Sequence, residues 1–292
     1  MPSCNWSVDR TTISLVTEKN QKGDQLILVT GTTGKLGHLI LTHLVDRGVP
    51  VIGSSRSGAD GTRTLDFDRP ETISLAGVDT LVLVSAGEAE DDVVIARHEA
   101  VIAAAERDGV SHVIYTSLVG EGDHLAFALA HRWTERRLQH SALSWTIMRN
   151  GLYADLFGSL MQWSGSQPTS AFGDGALAAV SREDLAEAAA VVASSPHAHS
   201  GQTYELVGAS ITARQVAALL GVVPVDITLQ ERREQLKMAA LKPFQPAMLM
   251  SIHTAVRHGF LARTSGDVAR LLGREPSDTL AVAAEALRAS GE

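Results

Sequence analysis

The stretch VTGTTGKLGHLI, residues 29–40, sets Gly31, Gly34 and Gly37 at G-x-x-G-x-x-G spacing. The chemistry this permits is phosphate binding by backbone. Gly31 allows a tight turn, Gly34 lets backbone N–H groups approach a pyrophosphate, and Gly37 lets a helix pack close to a strand. The N–H groups and dipole of the helix that follows favour the same anion. Thr33, Lys35 and Leu36 complete the loop. A nucleoside-triphosphate loop is excluded, because it needs four residues between its glycines and a Ser or Thr after the lysine, where this chain has Leu36.

The next apolar run ends GSSRS, and the first carboxylate beyond it is Asp60. An NAD site places an acidic residue there for the ribose 2′-OH. Arg56, with Ser54 and Ser55 beside it, suits a 2′-phosphate instead. NADP(H) is the favoured cofactor and NAD(H) stays open.

These residues need elements to hold them. Short β-branched runs at 26–30, 51–54, 64–67, 80–85, 112–117 and 145–149 alternate with helical patterns. Runs apolar on both faces, such as LVLV, suit parallel strands covered on each side. Leu39, Ile40, Leu44 and Val45 fall at helical spacing ahead of Gly48, and Val94, Val101, Ile102 and Ala105 do so ahead of Gly109. Pro70 opens a short helix running to about Gly77. The rhythm predicts an α/β fold: a Rossmann-type doubly wound parallel sheet with a smaller, mostly helical C-terminal substrate lobe. A polar extension over residues 1–25, a dinucleotide-binding domain over 26–150 and a substrate lobe over 151–292 are expected, with parts of 173–208 returning to the sheet. Within these, 180–195 reads as a helix capped by Ser181 and 203–208 as a strand. Residues 242–260, with two prolines, read as a lid or an irregular pocket wall.

Composition removes several classes. The chain has 292 residues, 45% hydrophobic and 20% charged, enough for a packed core. A formal net charge of -8 argues against nucleic acid as partner. The single cysteine, Cys4, rules out an internal disulfide. No apolar run approaches the roughly 20 residues needed to cross a bilayer. The first 25 residues lack a basic segment followed by an apolar one, so the expected location is cytoplasmic. No metal site is expected: His197 and His199 sit in a polar loop, and His253 and His258 lack i,i+4 spacing. No G-x-S-x-G appears.

Further motifs are an Asp-Phe pair at Asp66-Phe67, VSA at 84–86, YTS at 115–117, H-x-x-T-E at 131–135, and RNGLY at 149–153. Together with the glycine loop and GDGALAAVSREDLA (173–186), they resemble the NmrA-like atypical short-chain dehydrogenase/reductases, in particular their NAD(P)H:quinone reductase branch, over about residues 26–290. The resemblance implies an adenine cradle near Asp66 and Phe67. It also implies a nicotinamide-ribose site near Ser85 and Thr116, with Ala86 and Ser117 adjoining, and a reacting end lined by Asn150, Gly151 and Tyr153. The chain has Arg136 where many relatives have Lys. Its C-terminal third matches loosely, so the substrate pocket does not carry over.

Most reductases of the wider superfamily donate a proton from a Tyr with a Lys four residues later. Here Tyr115, Tyr153 and Tyr204 are followed at that distance by Val119, Phe157 and Gly208. In place of the dyad stand His131 and Glu135, in HRWTERRL. Hydride transfer to a simple ketone makes an alkoxide of pKa roughly 16, a mismatch to pH 7 of about 12 kcal/mol. A quinone yields a phenolate-like anion of pKa about 10, a mismatch nearer 4 kcal/mol. Loss of the dyad is compatible with the second case. His131 has two readings: it donates a proton or orients the nicotinamide, or it merely opens a helix whose Arg132, Arg136 and Arg137 face water with Glu135 paired locally.

The expected function is therefore an NAD(P)H-dependent oxidoreductase passing hydride to a quinone or conjugated aromatic carbonyl compound. Its partner is a small aromatic molecule, with a homo-oligomer as an open option. The alternatives are a non-catalytic NADP(H)-sensing regulator of NmrA type and a reductase dedicated to a polycyclic aromatic intermediate. Phe157, Met161, Trp163, Phe172 and Met248 are candidate pocket walls, against the plainer reading of core packing.

Overall fold

The structure, a computed structural model, describes residues 25–86 and 89–291. The extension expected over residues 1–25 lies outside the described residues, apart from Gln25. The chain runs through β1 (Ile27–Val29), α1 (Lys35–Asp46), β2 (Val51–Ser55), β3 (Arg63–Thr64), β4 (Thr80–Val84), α2 (Asp91–Asp108), β5 (His112–Leu118), α3 (Ala128–Gln139) and β6 (Ser144–Asn150). It continues through α4 (Ala154–Ser159), β7 (Gln162–Ser164), β8 (Gln167–Ser170), β9 (Ala176–Ala178), α5 (Arg182–Ser194), β10 (Gln202–Leu206), β11 (Ser210–Thr212) and α6 (Ala213–Leu219). Last come β12 (Val225–Asp226), α7 (Leu229–Met238), α8 (Gln245–Arg257), α9 (Asp267–Leu272) and α10 (Thr279–Ala289).

Seven of these strands form one parallel sheet in the order β10-β6-β5-β4-β1-β2-β3. This is the doubly wound, Rossmann-type α/β fold that the strand–helix alternation predicts. The chain winds to one side of β1 through β2 and β3, and to the other through β4, β5 and β6. The winding reverses beyond the carboxyl ends of β1 and β4, the switch point at which open sheets of this kind bind their ligands. The central strands are apolar on both faces because helices cover both. On one side α1 contributes Leu36, Ile40 and Leu44, and α5 contributes Ala186, Ala188, Ala189, Ala190 and Ala193. Small residues let that helix lie close to the sheet. The other face packs Leu28, Leu81, Leu83 and Val113 against Val101, Ile102 and Ala105 of α2.

The caps explain the boundaries. Gly109 ends α2 at φ 74°, a conformation that costs glycine nothing. Ser181 caps α5 by accepting the Asp184 N–H at 2.9 Å. The helix expected from Pro70 to Gly77 shortens to a 3-10 turn, Pro70–Thr72. Ile73 and Leu75 must extend into the core, where they are 2% and 0% exposed.

A third apolar cluster packs α4, α6, α8 and α10 around Phe157, Phe172, Val216, Ile252 and Leu287. The α4–α10 crossing is tight enough that a Cβ on Gly158 would overlap the Ala283 carbonyl. The lid or irregular wall expected over 242–260 is instead mostly regular helix, α8. Pro246 falls in its first turn, where no intrahelical N–H is needed. Strands β7, β8, β9, β11 and β12 are too short to announce themselves in the sequence.

Candidate functional site

The glycine loop leaves β1 and enters α1 as its spacing requires. Gly31 has φ 64°, and its carbonyl accepts the Gly34 N–H at 2.9 Å. A Cβ on Gly37 would overlap the Gly31 carbonyl and come within 2.9 Å of the Thr30 oxygen. Only glycine lets α1 start that close to the strand. The helix begins at Gly34 with no side-chain cap and no carboxylate in its first turn. Its N-terminal N–H groups and dipole are left for an anion. Gly31, Thr33, Gly34 and Lys35 are exposed at this mouth, whereas the Leu36 side chain turns into the core and can contribute only backbone.

The loop's position is fixed from both neighbours. Thr30 Oγ1 accepts the Val84 N–H at 2.9 Å, and Thr32 Oγ1 donates to the Ser54 carbonyl at 3.0 Å. Beyond β2, Arg56 is exposed, and its charge helps hold the Asp68 carboxyl below its ordinary pKa, after the larger effect of the Arg97 hydrogen bond. Asp68 accepts from Nε and Nη2 of Arg97, at 2.6 and 2.8 Å. Asp66 accepts the Asp68 N–H at 3.1 Å and so shapes its own turn, and the half-buried Phe67 packs on the core beside Leu65.

At the ends of β4 and β5 the Ser85 N–H donates to Thr116 Oγ1 at 3.0 Å. The Ala86 N–H donates to Nε2 of His98, 3.1 Å away, while His98 Nδ1 meets Thr134 Oγ1 at 2.8 Å. Thr134 in turn donates to the Ala130 carbonyl, so Nδ1 of His98 carries the proton. Burial lowers the His98 pKa to about 3, with the nearby His131 and Arg97 adding to the shift. A neutral imidazole of fixed tautomer therefore ties the loop after β4 to α3. Sequence reasoning missed it: no motif marks a lone histidine on a helix.

His131 is half-buried and joined to the Tyr115 hydroxyl through Nδ1, at 2.8 Å. Burial, then the Arg132 charge, lowers its pKa to about 4. Burial pushes the Tyr115 phenol above its ordinary value. The rest of α3 does not simply face water. Glu135, 3% exposed, accepts from Ser117 Oγ at 2.6 Å, Arg132 at 2.9 Å, and both Nε and Nη2 of Arg149 at 2.9 and 2.7 Å. Arg132 also donates to the carbonyls of Leu118 and Val119, and Arg137 binds Glu99 and Glu106. Of the three arginines only Arg136 is exposed. The Ser117 hydroxyl is thus committed to Glu135.

Asn150 ends β6 in register with Leu118. Its Oδ1 is buried and has no hydrogen-bond partner. An acceptor left in that state costs about 1–3 kcal/mol and fits a donor such as the amide of a nicotinamide. Tyr153 follows, its ring 3.9 Å from the guanidinium carbon of Arg182, which pairs with Asp155. The candidate pocket walls divide differently. Phe157, Met161 and Phe172 are wholly buried core residues, and Trp163 spends its indole N–H on the Leu287 carbonyl at 2.8 Å. Met248 is half-buried.

A family model described as NAD(P)H-binding matches residues 31–196. Quinone oxidoreductase 2 of Escherichia coli (strain K12) is 32% identical over 286 residues, 88% of this chain and 96% of that protein. The chain belongs to the NAD(P)H-binding, NmrA-like family. The crystal structure of the E. coli quinone oxidoreductase with NADPH superposes on this NmrA-like protein with a TM-score of 0.77, covering 89% of this chain and 99% of that one at 28% identity. The triphenylmethane reductase of Citrobacter sp., crystallised with NADP(H), gives 0.78, 91%, 99% and 26%. A (4-alkanoyl-5-oxo-2,5-dihydrofuran-3-yl)methyl phosphate reductase of Streptomyces griseus is 31% identical over 221 residues, 68% of this chain and 73% of that protein. This NmrA-like chain is accordingly an NAD(P)H-dependent reductase.

Proposed function

We propose that the protein transfers hydride from NADPH to a quinone or a conjugated aromatic carbonyl compound. The observation that carries the reading is the state of Tyr115 and His131. Burial raises the phenol's pKa and lowers the imidazole's to about 4. Neither is an acid tuned to neutral pH, so the site is poorly equipped for the strongly basic alkoxide of a simple ketone. A quinone oxygen asks for less. With Tyr115 donating to Nδ1, the neutral His131 keeps a proton on Nε2, and such an N–H stabilises an oxygen gaining charge.

When bound, NADPH supplies the hydride. The loop of Gly31, Gly34 and Gly37 and the open N-terminus of α1 would hold its pyrophosphate. Arg56 would pair with the 2′-phosphate, and Ser85, Ala86 and Thr116 would line the nicotinamide ribose. Asn150 Oδ1 would take the carboxamide, with Tyr153 closing the reacting face. Names of relatives that reduce quinones, triphenylmethane dyes or a conjugated lactone support a planar, conjugated acceptor.

The test is anaerobic oxidation of NADPH, and of NADH, over a panel of benzo- and naphthoquinones. Turnover with NADPH preferred, and that preference falling about 10- to 100-fold in Arg56→Ala, is the expected result. Tight NADPH binding with no oxidation by any acceptor would replace this reading with a dinucleotide sensor.

A further inference from the structure

Arg232 and His253 take no part in the site above, yet both are held in costly states. Arg232 lies on α7, whose other buried residue is Leu236, and is 1% exposed. Its Nε has no hydrogen-bond partner, and its Nη2 reaches the Thr169 carbonyl of β8 only at 3.5 Å. Among the described residues no carboxylate pairs with it. Other arginines drawn off the surface are paired: Arg149 with Glu135 and Glu205, Arg182 with Asp155, and Arg257 with Asp226. His253, on α8, which packs against α7, is also 1% exposed, lies near enough to Arg232 for that charge to add to the burial that lowers its pKa, and has no partner on either ring nitrogen. A neutral imidazole always carries one donor and one acceptor, so both needs are unmet.

An unpaired buried cation is among the most expensive arrangements a fold can hold, and an anion removes the cost. The guanidinium fork matches the oxygens of a carboxylate or phosphate, and the imidazole supplies a further N–H. Stacked core rings join His253 to α4. The His253 ring stacks on Phe172, centroids 4.7 Å apart, and Phe172 stacks on Phe157 at 4.6 Å. Phe157 belongs to α4, the helix whose N-cap is Tyr153.

We propose that Arg232 and His253 form a buried oxyanion site in the C-terminal lobe, taking a carboxylate or phosphate group. The group is either part of the acceptor molecule or a free ion. The first source rests on the reductase reading above, and the second does not.

Thermal unfolding of the full chain tests the site directly. NADP+ is kept saturating so that the glycine loop does not take the probe, and inorganic phosphate is compared with chloride at matched ionic strength. Phosphate is expected to raise Tm by several degrees in the wild type and not in Arg232→Met. His253→Phe keeps the stack without the nitrogens, and it is expected to weaken the response if Arg232→Met does not fold. A wild-type Tm that phosphate moves no further than chloride, or a shift retained in full by both variants, overturns the proposal. The two sources are separated by comparing KM for a carboxylated naphthoquinone and its neutral parent. A preference for the carboxylate that Arg232→Met abolishes, with kcat on the neutral parent unchanged, places the anion on the acceptor. Equal KM values alongside the phosphate effect assign the site to a free ion. Failure of NADP+ itself to raise Tm would count against the cofactor reading alone, since the variants still report the phosphate effect.

Discussion

Asn150 weakens the free protein, and its proposed role is to serve the bound one. Its buried, unpartnered Oδ1 costs stability until a donor arrives. Asn150→Ala is therefore expected to leave the Tm of the free protein unchanged or higher, while NADPH binding weakens about tenfold, worth about 1.4 kcal/mol. Differential scanning fluorimetry and titration calorimetry on the same samples would read both. A lower Tm with unaltered NADPH affinity would mean that the amide serves packing only. His98 is the complementary case. Both its nitrogens are satisfied, so it acts as a fixed strut between the Ala86 backbone and Thr134.

Among the elements, the β1–α1 junction carries the strictest requirement. Gly37→Ala would push α1 off the Gly31 and Thr30 carbonyls. We expect a loss of about 1–3 kcal/mol in urea unfolding, together with loss of NADPH binding, because the same shift moves the pyrophosphate donors. Unchanged affinity would contradict that coupling. This junction was readable from sequence because the constraint is local: each glycine answers a backbone need within a few residues. The α3 network was not. Glu135 meets Arg149 fourteen positions on, and Arg149 meets Glu205 a further 56 away. Only the sheet order, which sets β5, β6 and β10 side by side, brings them together. For the same reason one of the two readings of α3 set Arg132 facing water, although five neighbouring groups bind it. The aromatic and Met residues proposed as pocket walls illustrate another limit, since apolar side chains read alike whether they line a cavity or fill a core.

At the scale of the molecule, buried histidines set the response to acid. The pKa values of His98 and His253 are lowered to about 3, and those of His112 and His131 to about 4, each chiefly by burial. The unfolded chain binds these protons near the ordinary value of about 6.5, whereas the folded one refuses them until near 3 or 4. Stability is thus fully present above about pH 6.5 and falls as pH drops toward 4. Asp68, Glu106 and Asp108, held below their ordinary values by arginine hydrogen bonds, add their own losses only at the acid end, below about pH 4. Urea midpoints at pH 7.5 and 5 should therefore differ, with the lower value at pH 5, and equal midpoints would refute the burial argument. The central claim is that the whole assembly suits a weakly basic acceptor oxygen. Its most direct test is the rate of anaerobic NADPH oxidation by a naphthoquinone beside a simple cyclic ketone of similar size. The difference of about 8 kcal/mol in proton mismatch predicts a quinone rate higher by at least a thousandfold. Comparable rates with the ketone would contradict the account and require a proton donor that Tyr115 and His131 do not provide.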